Sequence, residues 1–187
     1  STSVKKNLCS THFVSKAFYN YPKTDMEREY KMRQKDTTEF TGHELQNLGL
    51  HTLRGLASLH EKKLHHGDIR PKYLGFDKTN NTHAVLDRLK DPAPLEVTHR
   101  NNLMTKGFKK YMSPQVYKKI QGHDKNQKYD AQKNDMYSLG MSMLELGVQD
   151  SLNDCYNNDG TMNKTKLDQH QADFNSKYQQ TNPALVQ

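Results

Sequence analysis

Cysteine is scarce in this chain. Of 187 residues only Cys9 and Cys155 carry a thiol, and they lie far apart. That spacing gives no metal-binding pair and no redox motif, so a reducing compartment is the default expectation. Long hydrophobic runs are missing as well. No apolar stretch reaches transmembrane length, and none reads as the core of a signal peptide. No Gly-x-Gly-x-x-Gly occurs anywhere, so a phosphate-cradling loop of that type has no sequence to build it. Apolar residues make up only 33% of the chain, with a mean hydropathy of -1.05. Polarity of that degree taken alone suggests disorder. The apolar residues cluster at helical and strand periods, however, which favours a small, wet globular domain.

The charge balance points one way. Lys and Arg number 28 against 21 Asp and Glu, a formal net charge of +7 before ten His are counted. A basic surface suits an acidic partner: nucleic acid, anionic lipid or an acidic protein face. A solvated surface with no specific partner explains the same number. Lys109, Lys110, Lys118, Lys119, Lys125 and Lys128 are interleaved with Tyr111, Tyr117 and Tyr129. That is a possible nucleic-acid footprint, but no nucleic-acid motif accompanies it, and a solvated face is the preferred reading. The histidines, including His65-His66, show no helical pair beside a third ligand, so no metal is expected from them.

Taken in order, residues 1–12 are polar and carry no period. Phe13 to Tyr21 is aromatic-rich and reads as a strand stopped by Pro22. Asp25 to Arg33 reads as a short helix, with Asp25 as its cap and Met26, Tyr30 and Arg33 on one face. Gln34 to Phe40 is a polar linker. Thr41 and Glu44 form a capping box, and Leu45, Leu48, Thr52, Leu53, Leu56 and Leu59 then mark a helix over 41–61, buried on that face. Tyr73–Phe76 and Thr82–Leu86 read as short strands around a polar turn. Residues 90–110 show no strong pattern, and Val116 to Ile120 suits a short helix. The most apolar helix is expected at 134–147, with Met136, Leu139, Gly140, Met143 and Leu144 buried and Gly147 ending it. A more polar helix follows at 167–178, and Pro183 marks its end.

The segment that organises these elements is His65-His66-Gly67-Asp68-Ile69-Arg70-Pro71-Lys72-Tyr73. It places a polar loop, with one acid of buried type, between a helix and a strand. From His66 onward it resembles the protein kinase catalytic loop H-R-D-L-x-x-x-N, with Gly67 at the Arg and Tyr73 at the final Asn. Other segments fit in the right order. Asp87-Arg88-Leu89 stands at the D-F-G position, and Tyr111-Met112-Ser113-Pro114-Gln115 resembles the segment closing on A-P-E. Asn134 to Gly147 resembles the helix that anchors the family's C-lobe. The resemblance covers roughly residues 13–180.

The fold it implies is α+β and mostly helical: a protein kinase-like C-lobe with a remnant of the N-lobe and hinge. Its parts are a hinge remnant and short helix at 13–33, a central helix at 41–61 and a catalytic-like loop and hairpin at 65–89. An activation-segment-like loop at 90–115, the anchor helix at 134–147 and a helix at 167–178 complete it. About twenty residues precede the hinge-like segment. That is too few for the strands and helix of an N-lobe, so the Lys–Glu pair that positions ATP is expected to be missing.

For the site, the resemblance puts Asp68 at the catalytic base, beside Arg70 where the family often has Lys. Asp87 falls at the Mg²⁺-binding Asp, while its companion Asn is Tyr73, a poor ligand for a hard cation. Arg88 replaces the aromatic ring that follows. Gly67 removes the Arg that pairs with an activation-loop phosphate. Gln115 replaces an acid that would pair with a later Arg. Asp68 is therefore expected to act as a structural acid, with no catalysis, no bound metal at Asp87, no ATP and no other cofactor. His66, Asp135 and Gln115 are expected in structural roles, Asp135 accepting amides of the catalytic-like loop.

These implications favour a pseudokinase-like module, non-catalytic, serving as a structural or binding subunit of a larger protein assembly. The Asn/Gln/Lys-rich style resembles that of kinase-domain proteins of ciliates. That implies a cytoplasmic location, with a cytoskeletal or ciliary axoneme assembly and acidic tubulin as one partner, and no membrane. The alternatives are a fragment or subunit of an active Ser/Thr-type kinase, since Asp68 and Asp87 are retained, and a basic nucleic-acid or phospholipid binder.

Overall fold

The computed structural model describes residues 23–77, 84–86, 109–121 and 129–186. The strand expected at Phe13–Tyr21, Asp87, Arg88 and most of the 90–110 loop lie outside the described residues.

The chain enters through strand β1, Lys23–Asp25, and turns at once into helix α1, Met26–Asp36. Asp25 makes that turn possible. Its carboxylate accepts from the amides of Glu27 and Arg28, two donors that the start of any helix leaves without intrahelical partners. Helix α1 continues to Asp36, past the Arg33 end read from the sequence, because Gln34, Lys35 and Asp36 tolerate an exposed helix. Phe40 is not part of a polar linker. It is 3% exposed, under the Arg33 guanidinium at 4.3 Å from its ring centroid.

Helix α2, Gly42–Glu61, starts on a complete capping box. The Thr41 hydroxyl accepts from Glu44 N, and the Glu44 carboxylate accepts from Thr41 N at 2.8 Å. Leu45, Leu48, Thr52, Leu56 and Leu59 turn inward, whereas Leu53, read as part of the buried face, is 37% exposed. Leu53 lies on the flank of the stripe. It joins Leu50 and Met136 in lining an apolar groove between α2 and the later helices.

After α2, a 3-10 turn at Pro71–Tyr73 leads into strand β2, Leu74–Asp77, which pairs antiparallel with β3, Ala84–Leu86. Tyr73 thus closes the turn and does not begin the strand. β1 pairs with the other edge of β2, giving a three-stranded sheet in the order β1-β2-β3.

Helix α3 spans Pro114–Gln121, helix α4 Ala131–Val148 and helix α5 Lys164–Tyr178. A 3-10 turn, Leu152–Cys155, lies between the last two. α4 is the axis of the molecule, packed against α2, α5 and the 3-10 turn Lys109–Tyr111. Leu139 and Leu144 are buried and Asp135 lies inside against the loop, as expected, but the rest of its buried face differs. Met136 is 44% exposed and Gly140 is open to solvent, while Asn134, Ser138, Ser142 and Glu145 are buried as well. Nor does Gly147 end the helix, which closes instead at Gln149 in the left-handed region. Gly147 is small because of packing: a Cβ there would sit 2.2 Å from the Phe174 ring of α5. α5 begins earlier than expected, because Asn163 caps it by accepting from Lys166 N. Among the described residues, no helix is long and apolar enough to cross a membrane.

Candidate functional site

The site is built where the loop between α2 and β2 meets the polar face of α4. Asp135 is fully buried. Its Oδ2 accepts from His66 N at 2.7 Å and its Oδ1 from Gly67 N at 2.8 Å. His60 Nε2, from the last turn of α2, lies 3.1 Å from Oδ2. One carboxylate therefore fixes two successive loop amides and the helix that precedes them. Gly67 has φ +78, a conformation that costs glycine little and a side-chain-bearing residue more. His66 is buried, and its Nδ1 accepts from Asp68 N at 3.2 Å. This folds the loop back on itself and fixes which way Asp68 points.

Asp68 is 3% exposed, and its carboxylate faces Arg70, itself 7% exposed. Arg70 Nη2 donates to Asp68 Oδ2 at 3.3 Å, and Arg70 Nε lies 3.0 Å from Oδ1. The Nε contact is an ion pair without hydrogen-bond alignment, for neither atom finds a hydrogen-bond partner. Arg70 Nη2 also donates to the Tyr73 hydroxyl at 3.1 Å, and the guanidinium lies 4.9 Å from the Tyr73 ring centroid. Asp68, Arg70 and Tyr73 thus form one buried cluster. A cation sits on the acid, and the aromatic residue in the Asn position holds the cation.

The second loop is held by the same helix. Asn134 Oδ1 accepts from Ser113 N at 3.0 Å, and Ser138 Oγ donates to Tyr111 O at 2.6 Å. Glu145 accepts from both Lys110 Nζ and the Tyr111 hydroxyl. Burial first, and then the Glu145 charge, push the Tyr111 phenol well above its ordinary value, so it remains a donor to that carboxylate. Sequence reasoning missed Glu145, because an acid two residues before a helix-terminal glycine reads as a surface position. Gln115 is exposed on the first turn of α3 and takes no part in the cluster. Between the two loops lies a cavity of about 220 Å³, lined by Glu27, Arg70, Lys72, Lys110 and Glu145 among others.

The structure thus brings together His66, Asp68, Arg70, Tyr73 and Asp135, and leaves Gln115 apart. The family model for the protein kinase domain matches residues 16–185. No curated protein matches the chain significantly. With nearly its full length matched, and with the catalytic-type loop seated on α4, the chain belongs to the protein kinase domain family.

Proposed function

We propose that this chain is a non-catalytic member of the kinase family, a C-lobe-type module that works by binding other proteins. The observation that carries the reading is the buried Asp68–Arg70–Tyr73 cluster. A general base must come within hydrogen-bond reach of the proton it takes. Asp68 has 3% of its surface exposed and directs its oxygens at a guanidinium. Phosphoryl transfer also needs metal ions held by side-chain oxygens around the phosphates. In the position of the metal-binding Asn, Tyr73 offers a phenol that is committed to Arg70 and a ring that is 4% exposed. Hard cations prefer carboxylate, carbonyl and water oxygens. The net charge of +7 makes an acidic protein face the partner this module would take.

A second reading, part of an active kinase, rests on one observation. Asp135 holds the His66 and Gly67 amides, so the loop keeps the backbone frame in which a kinase presents its base. One experiment separates the two. The longest form of the protein that cells express is purified and incubated with γ-labelled ATP, Mg²⁺ and general protein substrates, beside its Asp68→Asn variant. The proposal expects label at the same background in both. Incorporation that vanishes in the variant establishes the second reading.

A further inference from the structure

Among the described residues, one cluster of ligating side chains lies outside the catalytic-type loop. The 3-10 turn Leu152–Cys155 presents Asp154 and Cys155, and the middle of α5 presents His170. One carboxylate oxygen, the thiol sulfur and an imidazole nitrogen lie within 4.8 Å of one another. His170 Nε2 is 3.0 Å from Asp154 Oδ1, and Cys155 Sγ is 4.0 Å from the same oxygen.

We propose that Asp154, Cys155 and His170 bind a single divalent cation of the zinc class. In a tetrahedral zinc site the metal–ligand bonds of about 2.0 to 2.3 Å place neighbouring donor atoms roughly 3.3 to 3.7 Å apart. The two separations above fall on either side of that range, and the third, between the Cys155 sulfur and a His170 nitrogen, lies within 4.8 Å, so the set closes on a metal by drawing in by up to about an ångström. The donor types choose the metal. Thiolate and imidazole favour zinc-class ions over magnesium or calcium, which take oxygen ligands.

The frame around the ligands is already built. Cys155 O accepts from Asn163 N at 2.9 Å, and Tyr156 and Met162 form a bridge. The turn is thereby tied to the residue that caps α5, so both ligand-bearing elements are held in register without a metal. Cys155 and His170 are buried, whereas the Asp154 side chain is 44% exposed. The fourth position therefore opens toward solvent, where water completes the coordination. On binding, the Cys155 thiol releases its proton to solvent, and thiolate plus carboxylate balance the two charges of the ion. Lys166 Nζ lies 3.7 Å from Asp154 Oδ2, with its side chain 46% exposed, so it can swing into water as the cation enters.

The test uses the full chain, reduced and stripped of metal, titrated with Co²⁺ and then Zn²⁺. The expected result is one equivalent of Co²⁺ giving a thiolate-to-metal charge-transfer band and the visible bands of four-coordinate cobalt, both removed by one equivalent of Zn²⁺. Cys9→Ser keeps the spectrum and Cys155→Ser loses the charge-transfer band. Asp154→Asn and His170→Gln, checked for folding by circular dichroism, weaken binding by at least about a hundredfold, more than the loss of an outer-shell partner costs. The exposed Asp154 makes its variant safe for folding, so the test does not depend on replacing the buried thiol. Absence of a thiolate band at one equivalent overturns the proposal. So does a band that depends on Cys9, or one that survives unchanged in Asp154→Asn and His170→Gln.

Discussion

Replacing Asp135 with Asn tests how the catalytic-type loop is held. The native carboxylate accepts from the His66 and Gly67 amides at 2.7 and 2.8 Å and receives His60 at 3.1 Å, all at a site with 0% exposure. Asn keeps one acceptor oxygen. In place of the other it brings an NH₂ group, which faces an N–H and leaves both donors unmet. Losing a charge-assisted bond and stranding a buried amide costs about 3 kcal/mol. That is a large share of the roughly 5–15 kcal/mol by which folded proteins are stable. With a urea dependence of about 2 kcal/mol per molar, the unfolding midpoint should fall by about 1.5 M. Circular dichroism measures the midpoint. Native-state hydrogen exchange should show the His66 and Gly67 amides opening faster, while the middle of α2 changes only with global stability. A midpoint within about 0.3 M of the parent, or unchanged exchange at those two amides, would refute the argument that Asp135 anchors the loop.

Two further outcomes follow from packing and charge. Gly147→Ala places a methyl 2.2 Å from Phe174 Cε2, and should cost about 1–3 kcal/mol in urea unfolding. Combined with Phe174→Ala the loss should be smaller than the sum of the two single losses, and strict additivity would contradict the contact. The Glu44 carboxyl lies below its ordinary value of 4.5: burial raises it, and the hydrogen bonds from Arg33 and Thr41 more than offset this. Its contribution to stability is then present above pH 4.5 and lost as pH falls through the lower folded-state value. Glu44→Gln should flatten the acid-side slope of thermal unfolding measured against pH, and an unchanged slope would remove Glu44 from its cause.

The catalytic-type loop was legible because His66, Asp68 and Pro71 keep a spacing that few other loops share. Asp25 and the Thr41–Glu44 box were legible because capping chemistry is local. β1 was not, since Lys23-Thr24-Asp25 has no alternation, and only pairing with β2 makes it a strand. The face of α4 was read only in part, at Leu139 and Leu144, for a related reason. Hydropathy assigns Met136 inward and gives no reason to bury Ser138 and Glu145, but the groups that decide are the loop amides, Lys110 and Tyr111, which the helix's own sequence does not contain. The Asp68–Arg70–Tyr73 cluster depends on loop dihedrals that no periodicity encodes. The approach of Cys155 to His170 depends on a 3-10 turn that brings distant positions together.

The central claim is that Asp68 serves the fold by pairing with Arg70 and does not serve as a base. The most direct measurement is thermal unfolding of Asp68→Asn beside the parent, with labelled phosphate transfer from ATP followed in the same samples. If the pair is structural, the variant takes from the buried Arg70 its carboxylate partner and loses about 3 kcal/mol. For a chain of this length that is roughly 10 °C in Tm, with no transfer to lose in either protein. A variant as stable as the parent or more so, whose phosphate transfer disappears, would contradict the account.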